Sequence, residues 1–343
     1  MGSAPTFADE PEQAAMLTRG HIRSVLLALF VLTDAVLTYA AADEKTNDSS
    51  TLPTYRSIVS QVQVTFFATD ENNRPVAALT KSDFAVVDNG LVIRNFRSFT
   101  AADETSLDMV ALVDLSESVA RRLRVAIREV EQLVAREQSI ADDNVAVLYF
   151  GAESGGTSGG TSGAASGEIR PAILCASGCR ASDSVSSLLT VKGGGATPLL
   201  DALIFASDFI SHHRRAGARP VLILFSDGND TISLHSAREA LDAVVAGGAL
   251  VYSVDTGKPA NPSAGSMFLR QASDSSGGRY FSLQDGVANV MSAVLEDLRA
   301  SYVVTYDLPS QQAGFHSLRL MPTHNVNLRF HSRNRYYDEP SPR

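Results

Sequence analysis

Hydrophobic and polar positions change rhythm twice along the chain. Over residues 57–100 the stretch "IVSQVQVTFFATD" sets Val59, Val62, Val64 and Phe66 among polar neighbours, the period of a strand with one buried face. "DFAVVDNG" and "LVIRNFRSF" read as two further strands. The Asn89-Gly90 pair between them is a hairpin signal, because both residues accept positive φ. From residue 108 to 300 the rhythm becomes mixed. The apolar strand "MVALV" leads into "VARRLRVAIREVEQLVARE", where Val119, Leu123, Ile127, Val130 and Val134 recur at helical spacing. "NVAVLYF" is a strand, and "PLLDALIFASDFISHH" a helix with Pro198 suited to its first turn. "PVLILF" is nearly continuous in apolar residues, as a strand covered on both faces must be.

"SAREALDAVVAGG" predicts a helix opened by a Ser236–Glu239 capping box and closed at Gly247-Gly248. "ALVYSVDTG" and "RYF" are strands, while "MFLRQASDSSGG" and "VANVMSAVLEDLRA" are helices. Strands alternating with helices predict an α/β domain with a mostly parallel sheet. Strand texture then returns over residues 301–338 in "SYVVTYDL", "FHSLRLMP" and "NVNLRFHS", where Tyr336 and Tyr337 read as packing residues. The expected organisation is a leader at 1–42, a linker at 43–56, a β segment at 57–105, the α/β domain at 106–300, a second β segment at 301–338 and a tail at 339–343.

Composition narrows the function. The chain has 343 residues, 44% of them hydrophobic, a formal net charge of -9 and no Trp. Its acidic balance argues against nucleic acid as a partner, since phosphate binding needs a basic face. Near the N-terminus Arg19 and Arg23 precede the apolar run "SVLLALFVLT", and Ala40 and Ala42 follow as an A-x-A pair, with Met16 as an alternative start. That order predicts an export signal, and hence a periplasmic, cell-envelope or extracellular protein. The rival is an uncleaved anchor over residues 24–42, the one route to a membrane, and Asp34 in its middle argues against it. Cys175 and Cys179, in "CASGC", are the two cysteines. An oxidising compartment favours a small disulfide over half a zinc site or two free thiols.

Candidate chemistry gathers at strand ends, where open α/β sheets bind ligands. The first strand of the α/β domain ends in Asp114, Ser116 and Ser118; "PVLILF" runs into "SDGND" with Asp227; and "KGGGATPLL" sets Thr197 before a helix. Two carboxylates and three hydroxyls form an all-oxygen donor set, which hard cations prefer. Each piece alone is ordinary: serine and threonine cap helices, and Asp-Gly makes turns. Their joint placement gives the set its meaning. A G-x-S-x-G match in "GTSGG" lies in the Gly/Ser run 154–167 with no helix after it, so it is read as a surface loop. His212–Arg215 read as cations at a helix C-terminus, Asp201 as an acid at a helix N-terminus, and Asp142-Asp143 as a solvated loop.

"DLSES", "GGGATPLLDAL" and "LILFSDGND" resemble the metal-ion-dependent adhesion site of the von Willebrand factor A domain. The flanks, among them "VQVTFFATDENNRPVAALTKSDFAVVDNGLVIRNF" and "YVVTYDL", resemble the exported bacterial relatives of that domain typical of acidobacteria. The resemblance implies a Rossmann-like A domain bracketed by β segments, expected to form one immunoglobulin-like sandwich. It further implies that Ser116, Ser118 and Thr197 ligate the cation directly, and that Asp114 and Asp227 act largely through water. Mg²⁺ is the expected ion, with Mn²⁺ or Ca²⁺ as alternatives, and a protein partner would supply an Asp or Glu to it. Two rivals stand beside this adhesion-type reading. One is a metal-dependent hydrolase, for which Glu117 is the nearby candidate base; the other is an envelope protein whose metal merely stabilises the fold.

Overall fold

The structure is a computed structural model. It describes residues 61–103, 105–137, 143–151, 170–179, 185–257, 263–283, 289–308 and 314–338. The leader at 1–42, the linker at 43–56, Asp142, the Gly/Ser run and the tail at 339–343 lie outside the described residues. Among the described residues no helix is long and apolar enough to cross a membrane.

Four strands come from the N-terminal side: β1 (Gln61–Thr69), β2 (Phe84–Asp88), β3 (Leu91–Ile93) and β4 (Ser98–Ala101). Asn89 and Gly90 both take positive φ, 45° and 85°, and turn β2 into β3 as a two-residue hairpin. The stretch read as a single strand, "LVIRNFRSF", is two: β3 pairs with β2, whereas β4 joins a different sheet. The α/β region follows with β5 (Leu107–Asp114), α1 (Leu123–Glu137), β6 (Asn144–Phe150), β7 (Ala172–Cys175), α2 (Leu199–His213), β8 (Arg219–Ser226), α3 (Ala237–Gly247), β9 (Leu250–Asp255), α4 (Ala264–Ser276), β10 (Tyr280–Ser282) and α5 (Val290–Arg299). The last four strands are β11 (Tyr302–Asp307), β12 (Gly314–Pro322), β13 (Arg329–Ser332) and β14 (Arg335–Asp338).

The two chain ends build two four-stranded sheets together, in the orders β13-β1-β11-β4 and β14-β12-β2-β3. Both are antiparallel; the first alternates strands from the two ends of the chain, and the second joins a C-terminal pair to an N-terminal pair through β12 and β2. Their inward residues form one core, in which Val64, Phe66, Phe84 and Val86 meet Tyr302, Val304, Leu318 and Leu320. Aromatic rings fill its centre: Phe66 and Phe84 are 4.9 Å apart, and Phe99 and Tyr302 are 5.1 Å apart. Offset ring pairs of this kind add to simple burial.

The central sheet has the order β10-β9-β8-β5-β6-β7 and is parallel except for β7. Every residue of β5 is buried. The two-residue period of a strand divides its side chains between two cores. Met109, Ala111 and Val113 pack toward α1 and α5, while Val110 and Leu112 pack toward α2, α3 and α4. Helix α3 opens on the capping box Ser236–Glu239 and closes on Gly248 at φ 68°. Sequence order reverses about β5, which lies between β6 and β8. The crevice at such a reversal is where an open α/β sheet offers room for a ligand. The β13–β14 connection lies against this domain: Asn334 N–H donates to the Ser275 carbonyl at 3.1 Å, and Arg335 pairs with Asp242 at 2.6 Å.

Candidate metal centre

Asp114 is the last residue of β5, and Asp227 follows the last residue of β8. Because β5 and β8 are parallel neighbours, the two carboxylates emerge at the same edge of the sheet. Both are buried, as are Ser116 and Thr197, whereas Ser118 is exposed. The Asp114 carboxylate is held on two sides. Its Oδ1 accepts the Ser116 N–H at 2.8 Å, and its Oδ2 accepts the Ser226 hydroxyl at 2.7 Å. Ser226 Oγ in turn accepts the Gly228 N–H at 3.1 Å. Asp227 Oδ1 accepts the Asn229 N–H at 3.0 Å. Ser116 Oγ and Ser118 Oγ are 3.2 Å apart.

Thr197 reaches this edge by a different route. The glycine-rich stretch before it runs against the turn after β5: Glu117 N–H donates to the Gly194 carbonyl at 3.1 Å, and Gly194 N–H donates to Gly151 at 2.7 Å. Two glycines make that approach possible. A Cβ on Gly193 would collide with the Leu115 carbonyl oxygen. Gly151, at φ 76°, would bring a Cβ within 2.9 Å of Ser116 N and 3.2 Å of Asp114 Oδ1. Thr197 itself is fixed by backbone contacts, donating its N–H to Thr231 Oγ1 at 2.8 Å and accepting the Thr231 N–H at 2.9 Å. It is not the N-cap of α2; Pro198 holds that place, one residue before the first helical turn in which the sequence put it.

Electrostatics make this edge a place for positive charge. Burial pushes the Asp114 carboxyl up to about 6; hydrogen bonds from Ser116 and Ser226 oppose the shift, and the charge of Asp227 reinforces it. A dehydrated carboxylate facing a second one is relieved by a cation between or beside them. The donors are all oxygen. Among the described residues no group of three or more Asp, Glu, His or Cys converges as a metal cluster, so a cation here would depend on the hydroxyls. The residues present therefore fit a hard divalent ion and do not fit zinc or copper.

The other sequence candidates fall elsewhere. Cys175 and Cys179 are joined as a disulfide, with Cα atoms 5.9 Å apart, at the end of β7. His212 and His213 turn their Nδ1 atoms onto the Asp208 and Phe209 carbonyls at the end of α2, and Arg215 pairs with Asp108 at 2.8 Å. Glu117 is exposed. Tyr336 is buried and donates to Asp88 Oδ2 at 2.7 Å, while Tyr337 is exposed. Sequence reasoning missed Ser226, Gly151 and Thr231. Ser226 carried a signal, as a hydroxyl closing an otherwise apolar strand beside Asp227; the others act through contacts distant in sequence. Asp201 does more than face a helix dipole, since it accepts hydrogen bonds from Leu234 and His235.

The sequence model of the von Willebrand factor type A domain matches residues 108–293. No curated protein matches the chain. Among solved structures it is similar to the conserved hypothetical protein BatB from Bacteroides thetaiotaomicron, at 16% identity over 57% of this chain and 96% of that one, with a TM-score of 0.37. An aerotolerance-related membrane protein from Bacteroides fragilis is similar at 14% identity over 56% and 98% of the two chains, with a TM-score of 0.36. Proximal thread matrix protein 1 from the mussel byssus is similar at 15% identity over 62% of this chain and 51% of that one, with a TM-score of 0.41.

Proposed function

The chain belongs to the von Willebrand factor type A domain family, and from that premise we propose that it is an exported protein-binding module that works through a divalent cation. Domains of this family commonly mediate contacts between proteins. In this reading Ser116, Ser118 and Thr197 give hydroxyl oxygens to Mg²⁺, with Mn²⁺ or Ca²⁺ as substitutes. Asp114 and Asp227 hold the ion's water and balance its charge. Few full negative charges touch the ion, so it keeps affinity for an Asp or Glu carboxylate from a partner. The function is binding and not turnover. Its setting is the cell envelope or beyond, in line with the export signal read at 1–42 and with the likeness of the flanks to exported bacterial relatives.

The observation that carries this reading is the Asp114 carboxylate, buried, fixed on both oxygens and opposed by the charge of Asp227. The test is a titration of the full chain with Mg²⁺ and Mn²⁺ by calorimetry, followed by capture of partners from envelope extracts with and without EDTA. Saturable binding at one site, and a partner lost on chelation and restored by Mg²⁺, is the expected result. No heat with either ion overturns the metal site. Turnover of phosphoester or peptide substrates by the loaded chain would move the reading to a hydrolase.

A further inference from the structure

Helix α2 begins without a side-chain cap of its own, because its N-cap residue is Pro198. The first amides of a helix still need acceptors. They find them on the loop that follows Asp227. Leu200 N–H is shared between Asp230 Oδ1 at 3.2 Å and Ser233 Oγ at 3.1 Å, and Asp201 N–H donates to Ser233 Oγ at 3.1 Å. One turn earlier, Thr231 exchanges two hydrogen bonds with Thr197, through its hydroxyl and its own N–H. Asp201 answers from the helix side, accepting Leu234 N–H at 3.0 Å, His235 N–H at 3.1 Å and the His235 ring at 2.8 Å. Ser233 also donates to Asp230 at 2.5 Å, which closes the set.

The polar side chains of this loop, Asp230, Thr231, Ser233 and His235, engage one another or the helix start, with Ser233 and His235 half-buried. The bonds also join two particular points: Thr197, which lies just before α2, and Asp227, three residues before the loop's first contact.

We propose that Asp201, Thr231 and Ser233 are positioning residues of the cation site, forming a clamp that fixes Thr197 relative to Asp227 before any metal binds. This rests on the metal-binding reading above and adds how its geometry is maintained. Thr197 and Asp227 come from segments far apart in sequence. Without the clamp, the ion would have to gather them at the expense of its own affinity. With it, the two oxygens are already set.

The experiment uses the full chain and Mn²⁺ as probe. Thr231→Val keeps the shape and removes the hydroxyl that accepts the Thr197 amide, and Ser233→Ala removes the acceptor of the Asp201 amide and one of the two acceptors of the Leu200 amide. Each is expected to weaken Mn²⁺ about 10-fold or more, the usual effect of losing a group that orients a ligand. Thr231→Ser restores the hydroxyl and should restore the affinity. A purely structural role would lower the thermal midpoint in EDTA and leave Mn²⁺ affinity unchanged in both variants, and that result overturns the proposal. Amide exchange of the metal-free wild-type chain gives an independent reading. Slow exchange at Thr197, Leu200 and Asp201 supports the clamp, even in a chain that then binds no Mn²⁺ and so refutes the metal site. Fast exchange at these amides, slowed only by Mn²⁺, overturns the clamp and leaves the metal site standing.

Discussion

Ser226 Oγ donates to Asp114 Oδ2 at 2.7 Å, joining the tips of two neighbouring parallel strands through one buried hydroxyl. The bond explains why a strand otherwise made of apolar residues, "PVLILF", ends in serine. It leaves Asp114 one orientation, with Oδ1 on the Ser116 amide and Oδ2 on Ser226. A carboxylate so held cannot swing away from a cation, and a ligand's supporting hydrogen bonds commonly set its affinity.

Two substitutions separate the donor from its support. Asp114→Asn keeps the size, removes the charge and leaves one accepting oxygen where the carboxylate has two, and it should abolish Mg²⁺ and Mn²⁺ binding while the circular dichroism spectrum stays native. Ser226→Ala should leave binding detectable and about 10-fold weaker. Calorimetry on both variants checks this; wild-type affinity in Asp114→Asn would remove Asp114 from the site.

Gly193→Ala tests the seat of the glycine-rich stretch. An alanine Cβ there meets the Leu115 carbonyl, a backbone atom that cannot turn aside. The stretch must then lift from the turn after β5 and break the Glu117–Gly194 hydrogen bond. We expect a loss of stability of about 1–3 kcal/mol, as for overpacking elsewhere, and weaker Mn²⁺ binding. Gly195→Ala is the control, because a Cβ there meets nothing within 4 Å. Equal thermal midpoints for the two variants would contradict the close approach.

Much of this was legible in the sequence, for a reason that also sets the limit. Periodicity reports what a segment does to its own side chains, so the buried β5 and β8, the capping box at Ser236 and the Asn89-Gly90 turn were all predictable. Pairing between distant segments leaves a weaker trace. Residues 91–99 read as one strand because Leu91, Val92, Ile93, Phe96 and Phe99 are all apolar, but Arg94–Arg97 carry the chain from one sheet to the other. β7 and β14 are four residues each, too short for a period to show. The five candidate donors were named from local pattern, whereas Ser226, Thr231 and Ser233 owe their roles to partners a strand or a helix away.

His331 should make the sandwich sensitive to acid. Its ring lies on Phe67 with centroids 4.5 Å apart, and its Nε2 is 3.1 Å from Thr69 Oγ1. Burial pushes the imidazole down to about 4, and the nearby Arg279 and Arg329 charges act in the same direction. The unfolded chain takes up the proton near the ordinary value of 6.5. Between 6.5 and about 4 the unfolded state therefore holds more protons. The stability tied to a neutral His331 is complete above 6.5 and is lost as the pH falls toward 4. Its ceiling is about 3 kcal/mol, reduced by partial exposure. Asp297 works in the opposite sense: burial raises it to about 7, so its contribution declines as the pH rises from 3.8 to about 7. The difference between two proteins isolates the histidine. In urea titrations at pH 7.5 and pH 5, wild type should lose more stability on acidification than His331→Phe, which keeps the stacking and cannot titrate. Parallel losses would assign the acid sensitivity elsewhere.

Deleting residues 43–101 should release the C-terminal strands and spare the α/β domain. The deletion removes β1 through β4. β11 then loses both of its neighbours, β1 and β4, and β13 loses β1. β12 and β14 remain as a lone pair, a structure of marginal stability in water. Their core goes as well, since Val64, Phe66, Phe84 and Val86 are the apolar partners of Tyr302, Val304, Leu318 and Leu320. Neither core of the α/β domain includes any of the deleted residues. The polar contacts that still reach the tail include the Asn334–Ser275 hydrogen bond, the neighbouring Ser276–Arg333 bridge and the partly exposed Arg335–Asp242 pair. Each is worth on the order of 1 kcal/mol, far below what ordering a four-strand segment requires. Limited proteolysis with mass mapping should therefore show early cuts beyond residue 300 and a surviving fragment that spans β5 to α5. A protected tail beside a digested α/β domain would mean that the C-terminal strands carry a core of their own, and the shared-core account of the two sheets would have to be abandoned.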